Sequence, residues 1–440
     1  MTGKLLVASL CTLLFAACQP RQELPTLVTL PLEMQEGYGP FRPGFGILSS
    51  ETGDYPKGAQ SRTSSLPLRG IPTAWTNRVK TRIDLDSRQF IYQNFCAGNV
   101  DSAWYRGFLD YWNWEPDTTK LSAKPIKCYV YVVRGYDPQA GKWAVLVDTN
   151  NNLDFGDETA IYPAPQDPTG QNFTYQNPLI ISHEVYRKGN VVNVKTPMVI
   201  KTLRGDFVYN FPQYARAILK QGTNEHELLI SSGGFNQLDY EDIRIVEKPS
   251  WFWQKTVPDE ELVEIGQYIT LDGVSYKNKG VDAYSNVLQL ERGSPNTTEY
   301  VLQTGQPFRP FQAKEFTTGN PITLADYRGK YVYIDFWATW CKGCVQDMPE
   351  LKKIYRDLDK NRFAFLGVVG EDKPERVRHF LRKEAIEWPQ IFSDSTDKIT
   401  RSYNIKGLPV TVLLGPDGRV IAKDLRGKAL TAKLRELAAR

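Results

Sequence analysis

The stretch Tyr331–Glu350, YVYIDFWATWCKGCVQDMPE, decides the fold of the C-terminal part of this chain. From Tyr331 to Ala338 it is an almost unbroken apolar run, rich in aromatic and β-branched residues, as expected of a strand buried on both faces at the centre of an α/β sheet. Two cysteines in a C-x-x-C spacing, Cys341 and Cys344, follow directly. Beyond them Val345, Met348, Leu351, Ile354, Tyr355 and Leu358 recur at helical spacing. The pattern predicts Cys341 at a helix N-terminus and Cys344 in its first turn.

That placement suits thiol chemistry. The thiolate is the attacking species, and a free cysteine with a pKa of ~8.5 supplies little of it at neutral pH. Unpaired N–H groups at a helix N-terminus carry partial positive charge, and Lys342 adds a full one. Cys341 is therefore the expected nucleophile and Cys344 the residue that resolves the mixed disulfide. Half of a zinc site is the alternative, but structural zinc takes four Cys or His ligands, and no second C-x-x-C or H-x-x-x-H occurs in the chain.

FWATWCKGC, with Asp335 six residues before the first cysteine and Pro349 five after the second, resembles the thioredoxin superfamily. NPITLADYRGK before it and GLPVTVLLGPDGRVIAKDLRG after it are similar to the membrane-anchored TlpA/ResA type of thiol-disulfide oxidoreductase. The resemblance covers about residues 306–440 and implies a thioredoxin fold there. It also implies that Pro409 is the cis-proline facing the dithiol; an ordinary trans turn proline is the alternative that the sequence alone leaves open. Asp335, a carboxylate in an apolar strand, should have a raised pKa and exchange a proton with Cys344, or be a structural buried acid. Asp347 falls where ResA-type reductases carry an active-site Glu; complementing the helix dipole is its other reading. Trp340 is expected to shield the dithiol. The redox chemistry calls for no cofactor. The Lys-Gly dipeptide lacks the Pro-His of DsbA-like oxidants, which favours a reductase over an oxidase or isomerase.

Elsewhere in this domain, Phe363–Val369, a segment near Gln390–Phe392, Thr411–Leu414 and Arg419–Lys423 read as strands, the last two joined by a Gly-Pro-Asp-Gly turn. Helices are expected along Val377–Leu381, around Asp397–Tyr403 and over Leu430–Ala439, giving a mixed sheet between helices.

At the N-terminus, Lys4 precedes an uncharged, mostly apolar run from Leu5 to Ala17 that is too short to span a bilayer and suits an export leader. Leu14-Phe15-Ala16-Ala17-Cys18 resembles a bacterial lipoprotein signal, with Cys18 as the lipid anchor; an ordinary leader with an incidental cysteine is the alternative. Residues 1–17 are then the leader. Residues 18–70, rich in Gly, Pro and Ser, read as a tether that reaches about 40 Å as a flexible coil. Cys11 leaves with the leader. In an oxidising compartment Cys96 and Cys128 would form a structural disulfide worth about 3–4 kcal/mol, or a second redox pair.

Residues 71–305 carry many short strand-like segments, among them KCYVYVV, KWAVLVD, NVVNVKTPMVIK and ELLIS, which predict a β-rich domain with a sub-boundary near 249. The whole chain is thus multidomain, mostly-β first and α/β thioredoxin-like last. Within the β-rich region DTNNNLDFGDE places Asp148, Asn150, Asn152, Asp154, Asp157 and Glu158 in one loop, either a calcium site or a solvated Asn/Asp turn. Trp104–Trp114 is dense in aromatics and reads as core, or as a platform for a partner. His183, His226 and His379 have no motif context and read as surface or packed structure.

A formal net charge of +4 over 440 residues gives no reason to expect nucleic acid as a partner. Expected partners are disulfide-bearing exported proteins, apocytochrome c being one candidate, a membrane dithiol electron donor, and the membrane itself through the lipid. The rival function is a periplasmic or surface binding protein whose redox domain is accessory. Peroxidase chemistry is a weaker third option, since no separate peroxidatic cysteine is marked.

Overall fold

The structure, a computed structural model, describes residues 26–48, 66–112, 114–166, 177–232, 242–249, 256–293, 302–393, 399–403, 405 and 407–439. The leader, Cys18 and much of the expected tether lie outside the described residues. Among those described, no helix is long and apolar enough to cross a membrane.

Two β modules precede the C-terminal domain. The first draws on both ends of the N-terminal region: β1 (Leu27–Pro31) and β2 (Glu33–Glu36) join strands that come some two hundred residues later. Between them in sequence lies the second module, made of β3 (Gly46–Ile47), β4 (Thr76–Asp84), β5 (Tyr129–Asp137), β6 (Lys142–Val147), β7 (Leu179–Arg187), β8 (Asn190–Leu203) and β9 (Asp206–Asn210). The chain then returns to the first module through β10 (Gln213–Gln221), β11 (Asn224–Ser232), β12 (Ile243–Glu247), β13 (Val263–Glu264), β14 (Tyr268–Leu271), β15 (Val274–Asp282) and β16 (Val287–Arg292).

In the first module the sheets β1-β16-β15-β14 and β13-β12-β11-β10-β2 pack face to face. Their shared core includes Leu30, Ala215, Leu228, Ile245, Ile269 and Leu290. In the second, the sheets β4-β5-β6 and β3-β9-β8-β7 enclose Val130, Val132, Val145, Ile181, Met198 and Phe207. The alternation expected of half-buried strands produces both cores.

Three expectations are corrected here. Residues 27–36 are not tether: β1 pairs antiparallel with β16 (Leu30↔Leu288) and β2 with β10 (Ala215↔Met34). They lie within a Gly-, Pro- and Ser-rich stretch, but their alternate apolar residues Leu30 and Leu32 are buried in a core supplied by distant strands. The sub-boundary is not near 249, because Ile243 and Ile245 before it share a core with Val263 and Leu271 after it. The change of module falls between β9 and β10. Cys96 and Cys128 are both free thiols, one exposed at the end of a helix, the other buried just before β5, so no disulfide joins them. Burial raises the Cys128 thiol well above its ordinary pKa.

Two helices also interrupt the β pattern, α1 (Ser87–Cys96) and α2 (Ser102–Tyr111). Asp86 and Asp101 cap them, each accepting from N–H groups of the first turn. The aromatic cluster lies on α2. Tyr105 is buried and stacks on Phe95 with centroids 4.1 Å apart, while Trp104, Phe108 and Trp112 form a half-buried row at 5.5 and 3.9 Å. That row follows the i, i+4 spacing of one helix face.

The C-terminal domain is a five-stranded mixed sheet. A short pair, β17 (Gln312–Lys314) and β18 (Pro321–Thr323), precedes β19 (Tyr331–Trp337), β20 (Phe363–Gly370), β21 (Gln390–Ser393), β22 (Val410–Leu414) and β23 (Val420–Lys423), in the order β21-β20-β19-β22-β23. β19 and β20 run parallel, as do β20 and β21; β22 and β23 are antiparallel to their neighbours. On one face α3 (Lys342–Asp357), α4 (Pro374–Glu384) and α6 (Gly427–Ala438) bury Met348, Leu351, Leu381, Leu430 and Leu434 against Tyr333, Trp337 and Phe365. The other face is covered by Phe308, Ile322 and the short α5 (Ile399–Ser402), whose Ile399 packs on Ile334 and Phe336. β19 is therefore central and buried on both sides, as its unbroken apolar run predicts.

Candidate active site

The site is built where β19 ends and α3 begins. Cys341 occupies the N-cap of α3, and its Sγ accepts from the Cys344 N–H at 3.2 Å. The two sulfurs are joined as a disulfide, with Cα atoms 5.3 Å apart. Both cysteines are nearly inaccessible, at 5% and 2% exposure, so the chemistry takes place at a buried helix end. N–H groups without intrahelical partners surround Cys341 and favour a thiolate there.

Neighbouring side chains are held to this loop by named bonds. The exposed indole of Trp340 donates to the Glu371 carbonyl at 2.9 Å, which fixes it beside the dithiol. The Thr339 N–H donates to the Asp372 carboxylate at 2.6 Å. The Leu408–Pro409 peptide bond is cis. Pro409 lies against the dithiol loop, its Cδ 3.8 Å from the position a Cβ on Gly343 would take. Lys342, in the first turn, is exposed.

Beneath the helix lies Asp335. Side chains alternate along β19, so Asp335 shares a face with Tyr333 and Trp337, the face that packs on Cys341, Cys344 and Met348. Desolvation pushes its carboxyl up to about 7; the charge of Asp347 pushes the same way, and Arg426 opposes both. A group with that proton affinity gives and takes protons near neutral pH.

Asp347 is not a free acid. Its carboxylate is ion-paired with Arg426, whose Nη2 also donates to the Gly343 carbonyl at 3.1 Å. Neither reading of Asp347 from sequence includes this partner. Arg426, Glu371 and Asp372 all escape sequence reasoning, and only the arginine immediately before a helix offers even a weak signal.

Apart from Cys18, the remaining expected site residues lie in the second β module. In its Asp148–Glu158 loop the acceptors are turned on the loop itself. The buried Asp148 accepts from the N–H groups of Asn152 and Leu153, and Asp157 accepts from the amides of Asn150 and Asn152. Asn150 and Asn152 also accept from the N–H groups of Asn152 and Asp154, Asp154 accepts from Gly156 N–H, and Glu158 accepts from Thr149. Among the described residues no group of three or more His, Cys, Asp or Glu side chains is placed to hold a metal ion. The arrangement is that of a self-bonded Asn/Asp turn. Cys96 and Cys128 lie in the same module and contribute nothing to the dithiol.

Comparison with known proteins agrees with this geometry. Residues 304–423 match the AhpC/TSA family. The chain is similar to thiol-disulfide oxidoreductase ResA of Bacillus thuringiensis, 28% identical over 140 residues, which is 32% of this chain and 79% of that protein. ResA of Geobacillus kaustophilus is 38% identical over 103 residues, 23% of this chain and 58% of that one. Among solved structures, the thioredoxin domain of a thiol-disulfide oxidoreductase from Bacteroides vulgatus is 30% identical, with 31% of this chain and 98% of that chain covered and a TM-score of 0.29. The chain thus spans between about three-fifths and four-fifths of the lengths of these curated relatives, and the family match falls on its C-terminal domain. That domain is thioredoxin-like, of the thiol-disulfide oxidoreductase kind.

Proposed function

We propose, from a thioredoxin-like domain whose Cys341–Cys344 pair caps a buried helix end, that this protein is a disulfide reductase acting on exported proteins from the periplasmic face of a bacterial membrane. The observation that carries the reading is the cysteine pair itself, with Cys341 at the N-cap of α3 and Cys344 behind it. In the reduced enzyme the Cys341 thiolate attacks one sulfur of a substrate disulfide. That S–S bond breaks, one substrate thiolate leaves, and a mixed disulfide forms. Cys344 then loses its proton to Asp335 and attacks Cys341 Sγ. The mixed disulfide breaks, the second substrate thiolate leaves and is protonated, and two electrons have passed from enzyme to substrate. The enzyme is left as the disulfide seen here.

Each turnover consumes the dithiol, so a donor must restore it, and a membrane dithiol protein has the right chemistry. Anchoring through lipid on Cys18 keeps the domain near such a donor; apocytochrome c is one substrate of the required kind. Lys342 adds positive charge beside the thiolate, and Trp340 and Pro409 border the surface where an extended substrate segment would lie. A C344S variant exposed to oxidised substrate proteins should accumulate mixed disulfides through Cys341. The midpoint potential of the pair decides direction: a value near about −270 mV supports a reductase, and one near about −120 mV makes the protein an oxidant. A second reading, in which the β modules bind a partner and the redox domain is accessory, is favoured by their separate cores, which lie outside the matched region. Under that reading a C341S variant keeps its partner.

A further inference from the structure

The segment between β23 and α6 is tied down more firmly than a connecting turn requires. Asp424 has a left-handed φ of 53°, and its N–H donates to the Thr411 carbonyl at 2.8 Å. The Leu425 carbonyl accepts from two hydroxyls of the sheet, Tyr333 Oη at 3.2 Å and Thr411 Oγ1 at 3.0 Å. These bonds fix the backbone at Arg426. From there its side chain crosses to α3, pairs with Asp347 and donates to the carbonyl of Gly343, the residue between Lys342 and Cys344. A Cβ on Gly343 would meet Arg426 Nη2 at 3.4 Å and Pro409 Cδ at 3.8 Å, so the guanidinium and the proline ring both border the dithiol loop at Gly343.

We propose that Arg426 is a positioning residue for thiol exchange. It clamps the first turn of α3 through Gly343 and Asp347, and its charge offsets that of Asp347 at the buried Asp335. The proposal rests on the exchange chemistry argued above, in which the Cys344 S–H bond breaks, its proton goes to the Asp335 carboxylate and its electron pair attacks Cys341 Sγ. Around Asp335 the charged and titratable groups are Asp347 and the cysteines from α3, Arg426 from the β23–α6 segment, and Tyr333 on its own strand. At its register β20 presents Gly367 and β22 presents Thr411, neither charged. Without Arg426, Asp347 acts on Asp335 unopposed, and Asp335 holds its proton to higher pH.

The test is the titration of Asp335, followed by 13C NMR of carboxyl-labelled full-length protein, together with the pH dependence of single-turnover exchange with a disulfide peptide. In R426Q the Asp335 titration and the matching limb of the rate profile move upward by about one pH unit. In R426K the charge remains and the titration stays in place, but the fork onto Gly343 and Asp347 is lost and exchange slows by about tenfold. Folded R426Q with Asp335 titrating as in the parent overturns the proposal. Should R426Q not fold, R426K decides it, and exchange at the parent rate overturns it. Failure of the redox reading looks different: the parent protein itself exchanges no disulfide, while the NMR titration still reports on Arg426.

Discussion

Replacing Asp335 with Asn should stabilise the oxidised protein, and more so at high pH. In the folded state the carboxyl is held at about 7 against an ordinary value of 3.8, because burial and Asp347 disfavour its charge. The sign follows from linkage. The cost is absent below the unfolded pKa, where the group is neutral in both states, grows as pH rises between the two values, and is complete above the folded one. At 1.36 kcal/mol per pH unit the full cost is about 4 kcal/mol, of which somewhat less than half is already present at pH 5. Asn keeps the shape and carries no charge. The advantage of D335N over the parent should therefore grow by roughly 2–3 kcal/mol between pH 5 and pH 8.5. Urea-dependent amide exchange, read on peptides from β19 and β20, measures this in the C-terminal domain separately from the β modules. The same variant should slow resolution of mixed disulfides by Cys344. If the difference between D335N and parent is the same at both pH values, Asp335 is not held protonated by its surroundings and the proton-transfer role fails with it.

Three further outcomes are expected. His226 bridges two carboxylates, Glu247 at 2.7 Å and Asp272 at 3.0 Å, which raise its pKa. Its stabilisation is present below the unfolded value of 6.5 and is lost as pH rises through the raised folded one, so Tm of the first β module should fall across that window in the parent and much less in H226Q. Calcium or EDTA should leave the melting of the second module unchanged, because the Asp148–Glu158 acceptors already serve the loop's own donors; a calcium-dependent rise in Tm would contradict that. Alkylation followed by peptide mapping should label Cys96 in the native protein and Cys128 only after unfolding. A Cys96–Cys128 cross-linked peptide would refute the free-thiol assignment.

Parts of the site were legible because they are local. The strand–dithiol–helix order follows from consecutive residues: an apolar run from Tyr331, a C-x-x-C, and a helical stripe through Met348, Leu351 and Ile354. The cis bond at Pro409 followed the resemblance carried by nearby motifs, and the burial of Asp335 followed from its place in an apolar strand. Of the two N-terminal helices, α1 was missed because it buries Gln89, Gln93 and Asn94 beside Phe90 and Ile91, which breaks up any apolar stripe. Gln89 and Gln93 bond the backbone of Ser122 and Ile126, and Asn94 donates to the Phe90 carbonyl of its own helix, uses of polar groups that periodicity does not register.

By itself the sequence determined what depends on neighbours along the chain: where β19 and α3 lie, that Cys341 caps the helix, and that many of the segments between residues 71 and 305 form strands. Only the tertiary structure decided which distant residues meet. Leu27 pairs with Glu291 and Ala215 with Met34, which turns an expected tether into two edge strands and moves the module boundary. Arg426 reaches Gly343 across 83 positions of sequence, and Cys128 is buried away from Cys96 despite their modest spacing. The physical reason is the same in each case. Periodicity reports which face of an element is apolar, but the partner that covers that face or neutralises its charge is chosen by packing among elements far apart in the chain.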